Sequence, residues 1–110
     1  MKQAAVAGTA GGQRQILARE VLAAIRGRLA ELARAERTAH ASGQRAALWR
    51  AQQEAARRGR TLQQLRAYCL DALKHPRGLK PEHENDYLRG YREGLQHVLR
   101  EIRRIEVRRR

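Results

Sequence analysis

Apolar residues recur along this chain at intervals of three and four, the spacing that puts them on one side of a helix. The clearest run is Leu88, Tyr91, Leu95, Val98, Ile102 and Ile105, which steps by 3, 4, 3, 4 and 3, with Leu99 widening the stripe. It predicts a helix over 82–107 with coiled-coil rhythm and a need for a partner surface. A second run, Leu22, Ile25, Leu29 and Leu32, preceded by Ile16 and Leu17, predicts a first helix over 13–42. Ser42-Gly43 reads as a break, followed by a helix over 44–58 with a thin apolar side of Leu48, Trp49, Ala51, Ala55 and Ala56, stopped by Gly59. Thr61, with Gln64 three residues on, has capping-box spacing and opens a third helix over 62–74. Pro76 and Pro81 bar helix continuity between the third helix and the fourth, which is entered through Pro81, Glu82, Glu84 and Asp86.

No alternating Val/Ile/Thr run and no Asn-Gly or Asp-Gly pair occurs, so strands are not expected. The expected fold is all-α: an elongated helical bundle or helical hairpin of about four helices. Residues 1–12 are expected to form a flexible glycine-bearing arm ahead of a single helical domain over 13–110. Alanine supplies 19 of the apolar positions and Phe is absent, so large core formers are scarce and oligomerisation is expected to complete the core. The candidate packing and oligomer residues are Leu22, Ile25, Leu29, Leu32, Leu88, Tyr91, Leu95, Val98, Ile102 and Ile105. Gly90 and Gly94 form a notch beside this last seam: either a neighbouring backbone or large side chain fills it, the favoured reading, or the helix is locally weak there. The cheapest partner for the last helix is the third, folded back across the proline turn.

Charge adds a second demand. The net charge is +13, and 21 of the 24 basic residues are Arg, a planar fork that grips phosphate in two bonds. A GC-rich genome also enriches Arg, Ala and Gly together, and this accounts for much of the Arg bias, though not for the physical effect of the charge. The excess is greatest in residues 41–80, with nine basic groups against two acidic. Arg45, Arg50, Arg57, Arg58, Arg60 and Arg66, interleaved with Gln44, Gln52, Gln53, Gln63 and Gln64, are candidate phosphate contacts. Trp49 among them reads either as a core anchor, the commoner role for a lone Trp among alanines, or as a stacking ring. The terminal Arg103, Arg104, Arg108, Arg109 and Arg110 read equally as a basic tail touching nucleic acid or as a helix end suited to the dipole.

The same residues offer nothing for catalysis. His40, His75, His83 and His97 lack paired metal-ligand spacing, and Cys69 beside Leu70 reads as a small hydrophobe. The single serine, Ser42, sits in no nucleophile elbow, and phosphate loops and zinc-protease motifs are lacking. No metal, no cofactor and no enzyme activity are expected. A lone cysteine allows no internal disulfide, and no signal-like or membrane-spanning stretch is visible, so a cytoplasmic or virion-associated protein is expected.

Two stretches resemble known families. The ending HENDYLRGYREGLQHVLREI, His83 to Ile102, resembles the last helix of small all-helical accessory proteins encoded by tailed phages, which implies a virion or DNA-handling role and carries over no catalytic residues. The stretch EAARRGRTLQQLRAYCL, Glu54 to Leu70, resembles the helix-turn-helix of Fis-like regulators. There the turn before Thr61 is shorter than in the motif, and Arg57 and Arg58 stand where an aliphatic side chain is usually buried. The expected function is a non-enzymatic basic helical assembly protein that binds or packs beside nucleic acid, as DNA or RNA backbone. The alternative is a structural adaptor whose arginines meet acidic protein surfaces.

Overall fold

The computed structural model describes residues 15–74 and 85–109. The chain enters in extended form, and Ile16 and Leu17 pair with the backbone around Thr61: the Ala18 N–H donates to the Arg60 carbonyl at 2.7 Å and the Leu62 N–H to the Ile16 carbonyl at 2.8 Å. A 3-10 turn, Ala18–Val21, leads into α1, Leu22–Arg34. Three further helices follow: α2, Ala39–Ala56; α3, Leu62–Lys74; and α4, Asp86–Arg108.

The third helix begins and ends where its sequence predicts, and its capping box is made in both directions. The Thr61 N–H donates to Gln64 Oε1 at 3.0 Å and the Gln64 N–H to Thr61 Oγ1 at 3.1 Å. The first two helices divide differently from expectation. The break falls at Ala35, whose backbone is extended, and not at Ser42-Gly43; α2 then starts behind Thr38, whose Oγ1 accepts the Ala41 N–H at 3.0 Å. A Thr cap satisfies an otherwise orphan donor of the first turn, which outweighs the weak helix-breaking tendency of a glycine. The last helix starts at Asp86 behind Asn85, whose Oδ1 accepts the Leu88 N–H at 2.9 Å. The expected arm and the Pro76 to Glu84 segment lie outside the described residues.

The helices gather round one core rather than forming the expected elongated bundle. Every part of the described chain contributes to it, from Val21, Ile25 and Leu32 through Leu48 and Ala51 to Leu62, Leu65 and Cys69, and then Leu95, Val98 and Ile102. The seam of α4 is therefore consumed inside the chain: Leu88, Leu95, Val98, Ile102 and Ile105 are buried and Tyr91 is half-buried. On α1, Ile25 and Leu32 are buried, and Leu22 and Leu29 pack partly buried at the edge of the same core.

The main partner of α4 is α2, with α3 playing a smaller part. The glycines explain why. A Cβ on Gly90 would drive into the His40 carbonyl, with its carbon at 2.8 Å; one on Gly94 would meet Gln44 O and Ala47 Cβ, each at 2.9 Å. From the other side, a Cβ on Gly43 would strike the Tyr87 carbonyl and come within 2.8 Å of the Tyr91 nitrogen. The notch at Gly90 and Gly94 is thus filled by the backbone of α2, and Gly43 is the matching notch on α2. Alanines do the rest, because Ala47, Ala51 and Ala55 carry side chains short enough for helices this close. No helix among the described residues is long and apolar enough to cross a membrane.

Candidate nucleic-acid interface

Because the buried side of α2 is made of Gln44, Ala47, Leu48, Ala51 and Ala55, the opposite side is fixed by the 100° step of the helix. Trp49 lies two residues from both Ala47 and Ala51, so it points away from α4. It is 53% exposed, which overturns its reading as a core anchor. The indole sits with Leu29, Ser42, Arg45, Ala46 and Arg50 around an open hollow of about 490 Å³ between α1 and α2. Arg45 donates to Ser42 Oγ at 3.3 Å, which holds its guanidinium along the helix. Among the described residues, no carboxylate lies within ion-pair distance of Arg45 or Arg50.

Two helical turns further along, the exit of α2 builds a second basic feature. Arg57 to Arg60 form a tight turn, closed by the Arg60 N–H on the Arg57 carbonyl at 3.1 Å, and Gly59 adopts φ +76°, a conformation that side-chain-bearing residues rarely adopt. The extended entry segment lies against this turn and brings Arg19 with it. Arg19, Arg57, Arg58 and Arg60 line a hollow of about 240 Å³ floored by Leu17 and Ala55. One carboxylate serves this group: Glu54 lies 3.5 Å from Arg57 Nη1 and 3.3 Å from Arg60 Nη2. Arg58 and Arg19 keep their charge without an acid partner among the described residues, so the hollow retains a cationic excess. Sequence reading missed Arg19, because only the long-range pairing of Leu17 with Thr61 places it here.

The remaining candidate arginines disperse. Arg66 of α3 pairs with Glu106 of α4, Arg104 with Glu101 at 3.3 Å, and Arg109 with Glu20 at 2.6 Å. The first and last of these pairs tie α3 and the entry turn to α4, and all three neutralise charge that the sequence counts as free. Arg103 and Arg108 are exposed and lack a carboxylate partner among the described residues, while Arg110 lies outside them. The structure therefore gathers Arg45, Arg50, Arg57, Arg58 and Arg60 with Trp49 along α2 and its exit, and leaves Arg66 and the C-terminal arginines elsewhere.

A different kind of site lies on the opposite side of α2. Gln44, 7% exposed, accepts from Arg28 Nη2 at 3.3 Å and donates to Glu93 Oε1 at 3.2 Å, and His40 Nε2 stands 3.1 Å from the same carboxylate oxygen. The hydrogen bond from His40 holds Glu93 below the ordinary carboxylate pKa. His97, which lines a cleft here with Arg28, Gln44 and Glu93, is held below the ordinary histidine value by burial, with Arg100 and Arg28 adding to the effect and Glu101 and Glu31 opposing it. Both ends of Gln44 are satisfied, so the network is a polar strut joining α1, α2 and α4. Burial pushes the Cys69 thiol up to about 12, which leaves it neutral at physiological pH and a poor nucleophile. No group of three or more His, Cys, Asp or Glu suited to a metal ion occurs among the described residues. No family model, curated protein or solved structure matches the chain.

Proposed function

We propose that this is a non-enzymatic, basic helical protein that holds nucleic acid through the phosphate backbone along the outer side of α2 and the turn that follows it. The observation that carries the reading is the position of Trp49, exposed at the centre of that face, with Arg45 and Arg50 beside it unneutralised and Arg19 and Arg58 around the turn. Guanidiniums with no internal acid keep their full attraction for phosphate, and each phosphate they neutralise releases counterions. A place in a tailed-phage particle, or in the handling of its DNA, is the setting that the resemblance of the C-terminal helix implies. Self-assembly in that setting would use surface other than the seams of α1 and α4, which are largely spent on the chain's own core.

The test is fluorescence anisotropy with a labelled mixed-sequence oligonucleotide across a salt series. Binding should weaken linearly in log salt, and Arg45→Ala with Arg50→Ala should reduce the slope by about 0.7–0.9 for each phosphate no longer neutralised. No binding at low salt, or a slope indifferent to those changes, refutes the reading. The adaptor reading draws on a separate observation, that Arg57, Arg60, Arg66 and Arg109 already lie on carboxylates of this chain. It predicts that polyglutamate binds as well as the oligonucleotide.

A further inference from the structure

We infer that the nucleic acid taken by this face is single-stranded, with Trp49 as the platform on which one base stacks and the Arg19, Arg57, Arg58 and Arg60 hollow as the seat of a nearby phosphate. This rests on the backbone-binding reading above and specifies its ligand. The argument begins with what an exposed indole can contact. In a duplex the faces of the bases are covered by their neighbours, and a protein reaches only base edges, through hydrogen-bonding side chains such as Arg, Asn and Gln. An indole has one N–H donor and a broad apolar face, so it gains little from an edge and much from a free face. Trp49 stands on the convex outer side of a helix, with more than half its surface in solvent. The ring is not needed to fill the core of α2, which is built from alanine and Leu48.

The surroundings fit the same ligand. Arg45 and Arg50 share the hollow with the ring, placed to hold the phosphates on either side of a stacked base. Trp49 and Arg57 are eight residues apart, about 12 Å along a helix axis at ~1.5 Å per residue. An oligonucleotide of about eight residues spans more than that even at the ~3.4 Å per nucleotide of a stacked strand. One short single strand can therefore reach from the ring to the turn. The turn itself offers a hollow with room for a phosphate, its rim set by backbone, the Gly59 turn on one side and the paired entry segment on the other.

Since Trp49 is the only tryptophan, its emission reports on this one place. The full chain is titrated with an oligothymidylate of about eight residues, an abasic oligomer of the same length, the corresponding duplex and polyglutamate. The expected result is quenching by the oligothymidylate, with the abasic oligomer and the duplex bound about tenfold or more weakly and without quenching. Trp49→Ala should lower affinity for the oligothymidylate by a similar factor and leave the abasic oligomer unaffected, while Trp49→Phe restores most of the loss. Arg57→Ala with Arg58→Ala should weaken both oligomers. Far-UV circular dichroism confirms that each variant folds, as expected for exposed positions. Equal affinity for the normal and abasic oligomers overturns the stacking inference and leaves the backbone reading standing. Preference for the duplex overturns it in the same way. Failure of every nucleic acid to bind at low salt, or equal binding of polyglutamate, removes both.

Discussion

Replacing Gly90 and Gly27 by alanine, one at a time, should move stability in opposite directions. Both glycines lie inside helices, where alanine is intrinsically better by about 1 kcal/mol. Gly27 has nothing within 4 Å of where its Cβ would be, so Gly27→Ala should gain that amount. At Gly90 the new methyl would overlap the His40 carbonyl, and the obstacle is backbone held in α2, which cannot turn aside as a side chain can. Relief requires the two helices to separate, and a gap of ~0.5–1 Å already forfeits a quarter to a half of the dispersion attraction across it. Overpacking of this kind costs about 1–3 kcal/mol, and an unyielding neighbour puts Gly90 near the upper end. Less the gain in helix propensity, Gly90→Ala should cost about 2 kcal/mol, placing the variants about 3 kcal/mol apart. For a chain of this size that is roughly 12–24 °C in Tm. Urea unfolding followed by far-UV circular dichroism, with thermal melts in parallel, measures both. A Gly90→Ala protein as stable as Gly27→Ala would refute the close backbone approach of α2 and α4.

Leu48→Ala should cost about 3 kcal/mol because Leu48 is wholly buried, whereas Trp49→Ala, one position along, should cost about 1 kcal/mol or less; urea midpoints compare them directly. Native Cys69 should resist iodoacetamide at mildly alkaline pH and react only as the protein unfolds, so mass spectrometry that finds rapid labelling of the folded chain would contradict its burial. The depressed pKa of His97 means that the unfolded chain binds its proton more readily. Its contribution to stability should be complete above the ordinary histidine value near 6.5 and fall away as pH drops through the lower folded-state value. His97→Gln should flatten the change in urea midpoint across that range.

What could be read from the residues depended on whether the signal was local. The capping box of Thr61 and Gln64, the seam of α4 and the tight approach at Gly90 and Gly94 are matters of neighbouring positions, and all three are present. The partner in that approach was not legible, because Gly43 looks like a helix breaker until α4 is seen lying against it. Reading Gly43 as a break also hides the Thr38 cap and assigns the first turn of α2 to the first helix. Trp49 invites a core assignment because it is the largest apolar residue; the row Ala47, Ala51 and Ala55 carries the better signal, since a close helix approach excludes a large ring. Of the eleven arginines expected at phosphates, Arg66 and Arg109 separate from the rest through acids distant in sequence, Glu106 and Glu20 respectively. No rule of spacing anticipates such pairings.

The short pairing of Leu17 with Thr61 joins parts of the chain that lie far apart in sequence. Joining those two residues closes a loop that contains all of α1 and α2, an entropic cost that only the completed packing of those helices can offset. The arginine hollow depends on that closure, because Arg19 arrives with it and Arg57 to Arg60 form its other wall. Thus the hollow belongs to the tertiary structure: its two walls are brought together by the pairing of the entry segment with the turn, and neither segment alone carries it. A substitution that weakened the pairing of Ile16 to Ala18 with Arg60 to Leu62 would therefore change the arginine hollow without touching any of its arginines.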